Sequence, residues 1–313
     1  MNTSERILRA LRNPRLFARG INRAYHRRAG MRSEYPKGIA VFEEDWDTLV
    51  VLDACRYDMF EEVANIEGDL SSQLSKASAT VEWLSANFDG VDLRDTVYVT
   101  ANPQLERNRE SWNISLHETI NVWLNEGWDE ETGTVLAETM TEAAIEAHNR
   151  FPNKRIVVHY MQPHYPFVPS STSFDKDHLR EIDEEGGGPD GENVWGKKFT
   201  GQLSISQQDI WEIYLENLKY VVKHVKDLFR STSGKRVVTS DHGNYVGERA
   251  SPVPIREYGH PRGLYDDPVI QIPWLENTKG ERREISTDRR DTGEDIDSGL
   301  VDERLRNLGY KTE

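Results

Sequence analysis

Thr48-Leu-Val-Val-Leu-Asp-Ala-Cys-Arg-Tyr-Asp58 is the stretch of sequence that decides the fold. Its first five residues form an unbroken β-branched and aliphatic run, which is typical of a strand buried on both faces of a parallel sheet. A second run, Arg236-Val-Val-Thr-Ser-Asp-His-Gly-Asn244, has the same form. Open α/β sheets bind their ligands at the carboxyl ends of such strands, so we expect Asp53, Asp241 and His242 to meet there. Carboxylates and an imidazole together are the composition of a divalent metal site.

Further strands and helices alternate along the chain. The predicted strands are Thr48–Leu52, Thr96–Thr100, Arg155–Tyr160, Arg236–Thr239 and Val269–Trp274. The predicted helices are Arg56–Asn65, Val81–Phe88, Glu138–Asn149 and Gln207–Arg230, the last with Ser206 and Asp209 at its start. This alternation predicts an α/β fold, a mostly parallel sheet flanked by helices in a single compact domain. The polar stretches Arg180–Asn193 and Asn277–Gly299 are predicted loops.

Composition limits the classes of partner and compartment. The 313 residues carry a net charge of −15, with 27 Arg against 12 Lys. An acid-rich, lysine-poor surface indicates a halophilic protein and argues against nucleic acid as a partner. The single cysteine, Cys55, excludes an intramolecular disulfide and a cysteine-based metal cluster. No apolar run is long enough for a spanning helix or a signal peptide, so we expect a cytoplasmic protein.

Residues 1–38 differ from the rest and are predicted to be a basic amphipathic helical segment and linker that precedes one domain, residues 39–313. Residues 1–37 hold nine Arg and one Lys against two Glu, a net charge of +8 that leaves about −23 for the remainder. Apolar residues recur at helical spacing, with a break expected at Asn13-Pro14; they are Ile7, Leu8, Leu11, Phe17, Ile21 and Tyr25. This segment is predicted to dock on an anionic membrane surface or on an acidic partner. The alternative is that it folds back onto the acidic body.

Three further motifs contain side chains suited to chemistry. Two lie between the two strand runs and the third lies after them. They are Ser75-Lys-Ala-Ser-Ala-Thr-Val-Glu-Trp83, His159-Tyr-Met-Gln-Pro-His164 and Tyr258-Gly-His-Pro-Arg-Gly263. With the two strand runs they resemble the alkaline phosphatase superfamily, in particular the sulfatase-like branch that includes lipoteichoic acid synthases and phosphoethanolamine transferases. The resemblance covers about residues 45–276. It implies the fold of that superfamily for the sheet and its helices.

The resemblance also implies an activity. It is that of a metal-dependent hydrolase or transferase acting on phosphomonoesters or phosphodiesters, including lipid- or glycan-linked ones. The enzyme alternative is a sulfate ester hydrolase. The alternative of another class is a catalytically silent protein that keeps the fold to bind an anion or a glycan.

The implied metal ligands are Asp53, Thr80, Asp241 and His242. Hard oxygen ligands with one imidazole suit Zn²⁺ or Mn²⁺ best, with Mg²⁺ and Ca²⁺ possible. Members with two metals have an aspartate where this chain has Tyr160, so one divalent ion is predicted. The metal would polarise a phosphoryl or sulfuryl oxygen.

Thr80 is the predicted nucleophile, because it precedes the helix Val81–Phe88 and would meet both the metal and the positive helix end. Ser78 is the alternative nucleophile and otherwise a predicted substrate contact. Thr80 could also be only the N-cap of the helix. Cys55 lies outside the Cys-x-Pro-x-Arg context that sulfatases oxidise, so we expect a small buried residue there instead of a nucleophile.

Other side chains are predicted to contact the substrate. His164 and His260 would hydrogen-bond the phosphoryl oxygens or protonate the leaving group. Arg56 and Arg262 are candidate anion clamps, because a guanidinium matches phosphate geometry. His159 lies on a predicted strand and is interpreted as a core histidine.

Overall fold

The computed structural model describes residues 14–169, 194–287 and 296–310. The strands in these ranges are β1 (Thr48–Leu52), β2 (Asp69–Leu74), β3 (Asp92–Thr100), β4 (Ser115–Asn121), β5 (Arg155–Tyr160), β6 (Gly234–Ser240), β7 (Tyr245–Arg249), β8 (Arg256–Gly259) and β9 (Gln271–Lys279). The α-helices there are α1 (Pro14–His26), α2 (Tyr57–Val63), α3 (Thr80–Phe88), α4 (Gln104–Asn108), α5 (Ala137–Arg150), α6 (Val194–Thr200), α7 (Gln207–Ser231), α8 (Asp267–Ile270) and α9 (Ser298–Asn307). Short 3₁₀ turns span Val41–Glu43, Arg109–Ser111 and Asn125–Gly127.

A seven-stranded sheet forms the centre of the molecule, in the order β2-β9-β6-β1-β5-β3-β4. Strand β1 pairs in parallel with β5 and β6, and β3 pairs in parallel with β5 and β4. Only β9 runs against its neighbours, β6 and β2. Strands β7 and β8 form a separate antiparallel pair. The predicted α/β fold with a mostly parallel sheet flanked by helices is confirmed.

The register of the central strands places their ends at one level. Leu52, the last residue of β1, lies opposite Tyr160 of β5 and Ser240 of β6. The next residue after β1 is Asp53, and the next after β6 is Asp241. The pairing of the strands therefore delivers both acids to the same point of the carboxyl edge.

Strand β1 is buried on both faces, as its apolar run predicts. All five of its residues are buried. Val50 and Leu52 belong to the larger core cluster, which also contains residues of α5 and α7. Leu49 and Val51 belong to a second cluster on the opposite face, with Trp83 among the residues contributed by α3. Alternate side chains of one strand thus serve two core layers, which is why no polar residue interrupts the run.

The boundaries of several elements differ from those predicted. The predicted strand Val269–Trp274 begins instead at Gln271, because Asp267–Ile270 forms a helical turn with a proline near its start. The same strand extends to Lys279, inside the stretch predicted as a loop, because it pairs with β6. Helix α9 begins at Ser298, within the end of that stretch. The predicted loop Arg180–Asn193 lies outside the described residues.

Helix α7 begins as its sequence predicts. The hydroxyl of Ser206 accepts the backbone N–H of Asp209 at 3.0 Å, and the Asp209 carboxylate accepts the N–H of Ser206 at 3.2 Å. This reciprocal pair satisfies two backbone donors that the first turn of a helix leaves free.

The described part of the basic segment lies against the body of the protein. Arg19 pairs with the buried carboxylate of Glu257, with Nε–Oε2 at 3.0 Å. Asn22 is buried and exchanges two hydrogen bonds with the backbone of Val253, at 2.8 and 2.9 Å. Arg27 of the following turn pairs with Glu82. Folding back, one of the two predicted alternatives, therefore holds for this face of α1, whereas the predicted helix containing Ile7 to Leu11 lies outside the described residues.

Candidate active site

The four predicted metal ligands lie together at the carboxyl edge of the sheet. The Thr80 hydroxyl oxygen is 3.3 Å from Asp53 Oδ2 and 3.4 Å from His242 Nε2. His242 Nε2 is in turn 3.3 Å from Asp241 Oδ2 and 3.8 Å from Asp53 Oδ1. All four residues are fully buried. Residues from three separate parts of the chain thus converge on a space a few ångströms across.

Thr80 is the first residue of helix α3, and its hydroxyl does not cap the helix. The N-cap is Ala79, which has extended backbone angles and offers no side-chain hydrogen bond. The interpretation of Thr80 as an ordinary N-cap is therefore wrong. Its hydroxyl is directed toward Asp53 and His242 instead. The positive end of the helix lies beside it and favours a developing negative charge on the hydroxyl oxygen.

Each carboxylate has one satisfied oxygen and one unsatisfied oxygen. Asp53 Oδ2 accepts hydrogen bonds from Asn102 Nδ2 and the Tyr310 hydroxyl, both at 2.9 Å. Asp241 Oδ1 accepts the backbone N–H of Ala54 at 3.0 Å and that of His242 at 2.8 Å. The other oxygens, Asp53 Oδ1 and Asp241 Oδ2, are buried without a hydrogen-bond partner in the described residues. An unpaired buried carboxylate oxygen is costly, so both atoms are suited to bind a cation.

The tautomer of His242 strengthens this conclusion. Its Nδ1 lies 2.8 Å from the carbonyl oxygen of Gly243, and because a carbonyl can only accept, Nδ1 carries the proton. In the neutral, metal-binding form of the ring, Nε2 presents a lone pair to Asp241 Oδ2 at 3.3 Å. Two acceptors at that distance repel each other unless a cation lies between them.

His159 belongs to the same group of atoms and is not simply the core histidine expected from its place on a strand. Its Nε2 is 3.9 Å from Asp53 Oδ2 and 4.0 Å from Asp241 Oδ2, and it is buried without a hydrogen-bond partner in the described residues. Its Nδ1 lies 2.7 Å from the Tyr98 hydroxyl, which fixes the ring. Asp53, His159 and Asp241 offer ligand atoms that all lie within 4.8 Å of one another.

The spacing of these atoms fits one divalent ion. Ligands bound to zinc at about 2.1 Å in a tetrahedron lie about 3.4 Å apart. Here His242 Nε2 is 3.3 Å from Asp241 Oδ2 and 3.8 Å from Asp53 Oδ1, the two carboxylate oxygens without partners. The donor set of oxygens and imidazole nitrogens suits Zn²⁺ or Mn²⁺.

The protonation of the carboxylates shows the same shortage of positive charge. Burial, and then the neighbouring charge of Asp241, raise the pKa of Asp53 well above its ordinary value. Burial also acts to raise the pKa of Asp241, but the imidazoles of His242 and His159 and the Ala54 N–H outweigh it and lower that pKa. Among the described residues, neither a lysine nor an arginine hydrogen-bonds to either carboxylate.

His164 and His260 lie beside this cluster and hydrogen-bond each other. Their Nε2 atoms are 3.0 Å apart, and His164 Nδ1 is 2.5 Å from the carbonyl oxygen of Tyr165. The carbonyl fixes the proton of His164 on Nδ1, so His260 Nε2 donates to His164 and His260 Nδ1 is left as a buried acceptor without a partner in the described residues. The ring of His260 stacks on that of His242, with centroids 4.4 Å apart.

Both of these imidazoles are neutral near pH 7. Burial lowers the pKa of His164 to about 4. Burial, followed by the proximity of His242 and His164, holds the pKa of His260 well below its ordinary value. The pair can therefore take up one proton from a reacting group, but it brings no permanent positive charge to the site.

The predicted anion clamp Arg56 has a different role in the structure. Its guanidinium pairs with Asp58 at 2.9 Å and with Glu248, and it lies over the ring of Trp211. These partners use its donors to hold α2 against β7 and α7. Glu248 is 192 residues away in the chain, so this ion pair could not be predicted from residue spacing.

Ser78 and Arg262 both contact the buried carboxylate of Glu82. The Ser78 hydroxyl donates to Glu82 Oε2 at 2.8 Å and accepts the backbone N–H of Gly263 at 2.7 Å. Ser78 thus holds the loop before α3, and none of the predicted metal ligands is among its hydrogen-bond partners in the described residues. Arg262 Nε is 3.3 Å from Glu82 Oε1, and its side chain is 57% exposed. Arg262 therefore remains a candidate contact for a substrate that approaches from solvent.

Cys55 is a fully buried thiol, as expected for a small residue packed near the site. Burial, with a smaller contribution from Asp58, raises its pKa well above its ordinary value. The reactive form of cysteine is the thiolate, so this environment does not activate it.

Three further residues hold side chains of the site in place, although none was predicted to do so: Asn102, Tyr310 and Glu82. Asn102 follows β3 by two residues, so the rule that located Asp53 after β1 could also have found it. Glu82 is the third residue of α3 and anchors the loop that carries Thr80. Tyr310 follows α9, which is far in sequence from the other residues of the site, and no sequence motif predicts its position.

No protein-family model and no curated protein matches this sequence. Among solved structures, the chain is similar to the C-terminal periplasmic domain of a phosphoethanolamine transferase from Campylobacter jejuni, with 14% identity over 73% of this chain and 77% of that chain and a TM-score of 0.42. It is also similar to a lipoteichoic acid synthase from Listeria monocytogenes, with 14% identity over 85% and 72% of the two chains and a TM-score of 0.43. A putative sulfatase from Bacteroides thetaiotaomicron gives 10% identity, coverage of 85% and 71%, and a TM-score of 0.45. These proteins are of the classes that the sequence motifs resemble, and the likeness is one of fold.

Proposed function

We propose that this protein is a metal-dependent enzyme that transfers the phosphoryl group of a phosphate ester to Thr80 and then to water or another acceptor. One observation carries the proposal. The Thr80 hydroxyl donates to Asp53 Oδ2 at 3.3 Å, at a helix start, beside two buried carboxylate oxygens that have no partner in the described residues. This arrangement combines a nucleophile with a site for a divalent cation.

Asp53, Thr80, Asp241 and His242 would hold the metal, with the unpartnered Nε2 of His159 as a further donor. When bound, a divalent ion supplies Lewis-acid polarisation of a phosphoryl oxygen and lowers the pKa of the Thr80 hydroxyl. Zn²⁺ and Mn²⁺ suit this mixed oxygen and nitrogen set better than Mg²⁺ or Ca²⁺.

The side chains provide a route for each proton. As the Thr80 oxygen attacks phosphorus, its proton passes to Asp53 Oδ2, the acceptor it already faces at 3.3 Å. The bond between phosphorus and the departing oxygen breaks, which leaves a phosphothreonine and an alkoxide that takes a proton from solvent. The free lone pair of His260 Nδ1 then takes the proton of the incoming water or alcohol as its oxygen bonds to phosphorus. The bond between phosphorus and the Thr80 oxygen breaks, and the proton held on Asp53 Oδ2 returns to that oxygen. His260 then gives its proton to solvent.

Charge counting favours a phosphodiester over a phosphomonoester. A divalent ion would balance the two carboxylates, and His164 and His260 are neutral near pH 7. Arg56, Arg27 and Arg262 all contact acidic side chains. A dianionic monoester would therefore enter a buried site with little spare positive charge, whereas a monoanionic diester costs less.

We expect metal-dependent turnover of bis(p-nitrophenyl) phosphate that exceeds turnover of p-nitrophenyl phosphate. The measurement is release of p-nitrophenol by EDTA-treated protein after addition of Mn²⁺ or Zn²⁺, with p-nitrophenyl sulfate as the third substrate. Hydrolysis of the sulfate alone would replace this proposal by a sulfatase. Binding of inorganic phosphate without turnover of any ester would favour the catalytically silent alternative.

We further propose that the enzyme acts at an anionic membrane surface, to which the exposed face of α1 binds. Four of the five large apolar side chains exposed in the described residues belong to this segment: Phe17 at 64%, Ile21 at 42%, Tyr25 at 50% and Met31 at 84%. Phe17, Ile21 and Tyr25 recur every four residues and so share one face of the helix. No helix in the described ranges is long and apolar enough to cross a membrane.

The charge around this face suits an anionic bilayer. Residues 14–33 contain six arginines and no acidic residue. The polar face of α1 is fixed to the body through Arg19 and Asn22, which leaves the apolar stripe directed outward. Each basic residue near an anionic surface adds about 1 kcal/mol at moderate salt, but at 1 M salt the Debye length is only about 3 Å. In brine the apolar stripe would have to supply most of the binding.

Flotation with phosphatidylglycerol vesicles tests this membrane proposal. We expect the wild-type protein to float, and a triple variant, Phe17→Ser with Ile21→Ser and Tyr25→Ser, to stay in solution. Ile285→Ser is the matched control, because it removes the remaining large exposed apolar side chain, which lies outside this segment. Equal flotation of the triple variant and the wild type would exclude the stripe as the membrane contact, as would failure of the wild type to float at any salt.

A further inference from the structure

The strongest additional feature is a tyrosine that helix α9 brings to the nucleophile. The hydroxyl of Tyr310 is 3.2 Å from Thr80 Oγ1 and donates to Asp53 Oδ2 at 2.9 Å. It also accepts a hydrogen bond from Asn102 Nδ2 at 3.0 Å. No other phenol hydroxyl in the described residues lies within hydrogen-bond distance of the Thr80 hydroxyl.

The backbone that follows α9 holds this residue in place. Gly309 has φ of +77°, a left-handed angle that glycine adopts without strain and that turns the chain back after the helix. The N–H of Tyr310 then bonds the carbonyl oxygen of Leu305 at 2.9 Å. This bond, from the second residue past the C-cap Leu308 to the last turn of the helix, is a common way of ending a helix. The tyrosine therefore follows α9 as a fixed extension.

Helix α9 itself is firmly packed against the body. Val301, Leu305 and Leu308 are buried in the larger core cluster. Arg304 lies over the ring of Trp128, 4.5 Å from its centroid, and pairs with Glu130 at 2.9 Å. Because the helix is anchored in this way, the side chain of Tyr310 has a fixed position at the edge of the site.

The ring of Tyr310 also contacts the histidine pair. It stacks on the ring of His164 with centroids 5.4 Å apart and planes inclined by 5°. The ring of His260 lies 6.3 Å away, at an angle of 67°. The phenol thus sits between the nucleophile and the imidazoles that would handle the proton of the acceptor.

We propose that Tyr310 is a catalytic residue of the phosphoryl transfer, and this inference rests on the function proposed above. Its hydroxyl fixes the Thr80 oxygen relative to Asp53 and donates a hydrogen bond to that oxygen when it has lost its proton and attacks. A donor placed where charge develops stabilises the transition state more than the resting state.

Tyr310→Phe removes only the hydroxyl and is the decisive variant. With bis(p-nitrophenyl) phosphate we expect kcat to fall about 100-fold, the effect of losing one well-placed donor, while KM changes less than about twofold. Tyr160→Phe is the matched control, because it also removes a buried phenol hydroxyl, one that bonds Thr141 at 2.7 Å. Its kcat should stay within about twofold of the wild-type value.

A binding measurement separates this proposal from the proposed function. Orthovanadate imitates the five-coordinate phosphoryl group, and its affinity can be measured by calorimetry whether or not an ester turns over. We expect the vanadate Kd to rise about tenfold or more in Tyr310→Phe and to stay unchanged in Tyr160→Phe. Inactive wild-type protein with this difference in Kd would refute the proposed function alone. An active wild type with an equally active Tyr310→Phe variant, or a Tyr310→Ala variant faster than the wild type, would overturn the catalytic role.

Discussion

Replacing Thr80 with alanine is expected to reduce kcat by about 10³-fold or more, to the level reached by metal and binding alone. The physical reason is that the oxygen which attacks phosphorus is removed, while the packing around it changes little. Thr80 is fully buried, and its hydroxyl hydrogen-bonds Asp53 and not the backbone of α3. The helix should therefore survive the substitution. Steady-state turnover of bis(p-nitrophenyl) phosphate, with a thermal melt of each variant, measures the effect.

Two neighbouring residues provide the controls for this variant. Ser78→Ala loses hydrogen bonds to Glu82 and Gly263, which should lower stability while most of kcat is retained. Cys55→Ser replaces a buried thiol that takes no part in the proposed chemistry, and it should also remain active. Mass spectrometry of protein quenched during turnover should locate the phosphoryl group on Thr80. If Ser78→Ala is inactive although folded, or if Cys55→Ser alone abolishes turnover, the nucleophile has been misassigned.

The central strands were predictable because their burial leaves a strong signal in the sequence. A strand covered on both faces has no polar face to alternate with, so β1 reads Thr-Leu-Val-Val-Leu, and the centres of β5 and β6 read Ile-Val-Val and Val-Val. Once such runs are assigned to neighbouring parallel strands, the residues after them must meet at one edge. Asp53 and Asp241 do lie together there, because β1 and β6 end at the same level.

The edges of the sheet could not be predicted in the same way. Strand β2 contains only exposed and partly buried residues. Its sequence, Asp69 to Leu74, is mostly polar, so nothing distinguishes it from a loop. It is a strand because β9 supplies its hydrogen bonds, and β9 is 200 residues later in the chain. Pairing over such a distance is a property of the folded chain.

The same limit applies to several side chains of the site. Arg56 follows a strand and looked available for an anion, but Glu248 and Asp58 occupy its guanidinium. His159 looked like a core residue because it lies on a buried strand, yet its Nε2 faces the two carboxylates. Tyr310 depends on how α9 packs. These roles depend on the orientation of each side chain and on contacts with residues far away in the chain. The spacing of residues in the sequence predicts neither.

Replacing Asp241 with asparagine is expected to change stability in opposite directions without and with metal. Without metal, and at alkaline pH where imidazoles are neutral, the new amide Nδ2 would stand where Oδ2 lies, 3.3 Å from His242 Nε2. A hydrogen bond would replace two facing acceptors, while Oδ1 would still accept the N–H of Ala54. One of two buried carboxylate charges also disappears. The free energy of unfolding of the metal-free protein should therefore rise by about 1 kcal/mol or more.

With metal, the same substitution should remove most of the stabilisation that the ion gives. A ligand present at about 1,000 times its Kd stabilises the native state by about 4 kcal/mol. Loss of groups that only support metal ligands costs about 10- to 100-fold in affinity, so loss of a ligand itself should cost more than about 100-fold. The wild type should gain thermal stability from Mn²⁺ or Zn²⁺, whereas the Asp241→Asn variant should gain little.

Thermal unfolding of EDTA-treated protein, before and after addition of Mn²⁺ or Zn²⁺, checks both signs, and elemental analysis gives the metal content. Asp227→Asn is the matched control, because it removes an exposed carboxylate that pairs with Arg230, so both its stability and its metal content should follow the wild type. A combined gain without metal and loss with metal is specific to two buried carboxylates that need a cation between them. If Asp241→Asn retains the metal content of the wild type, or is destabilised in both states, Asp53 and Asp241 do not form the metal site.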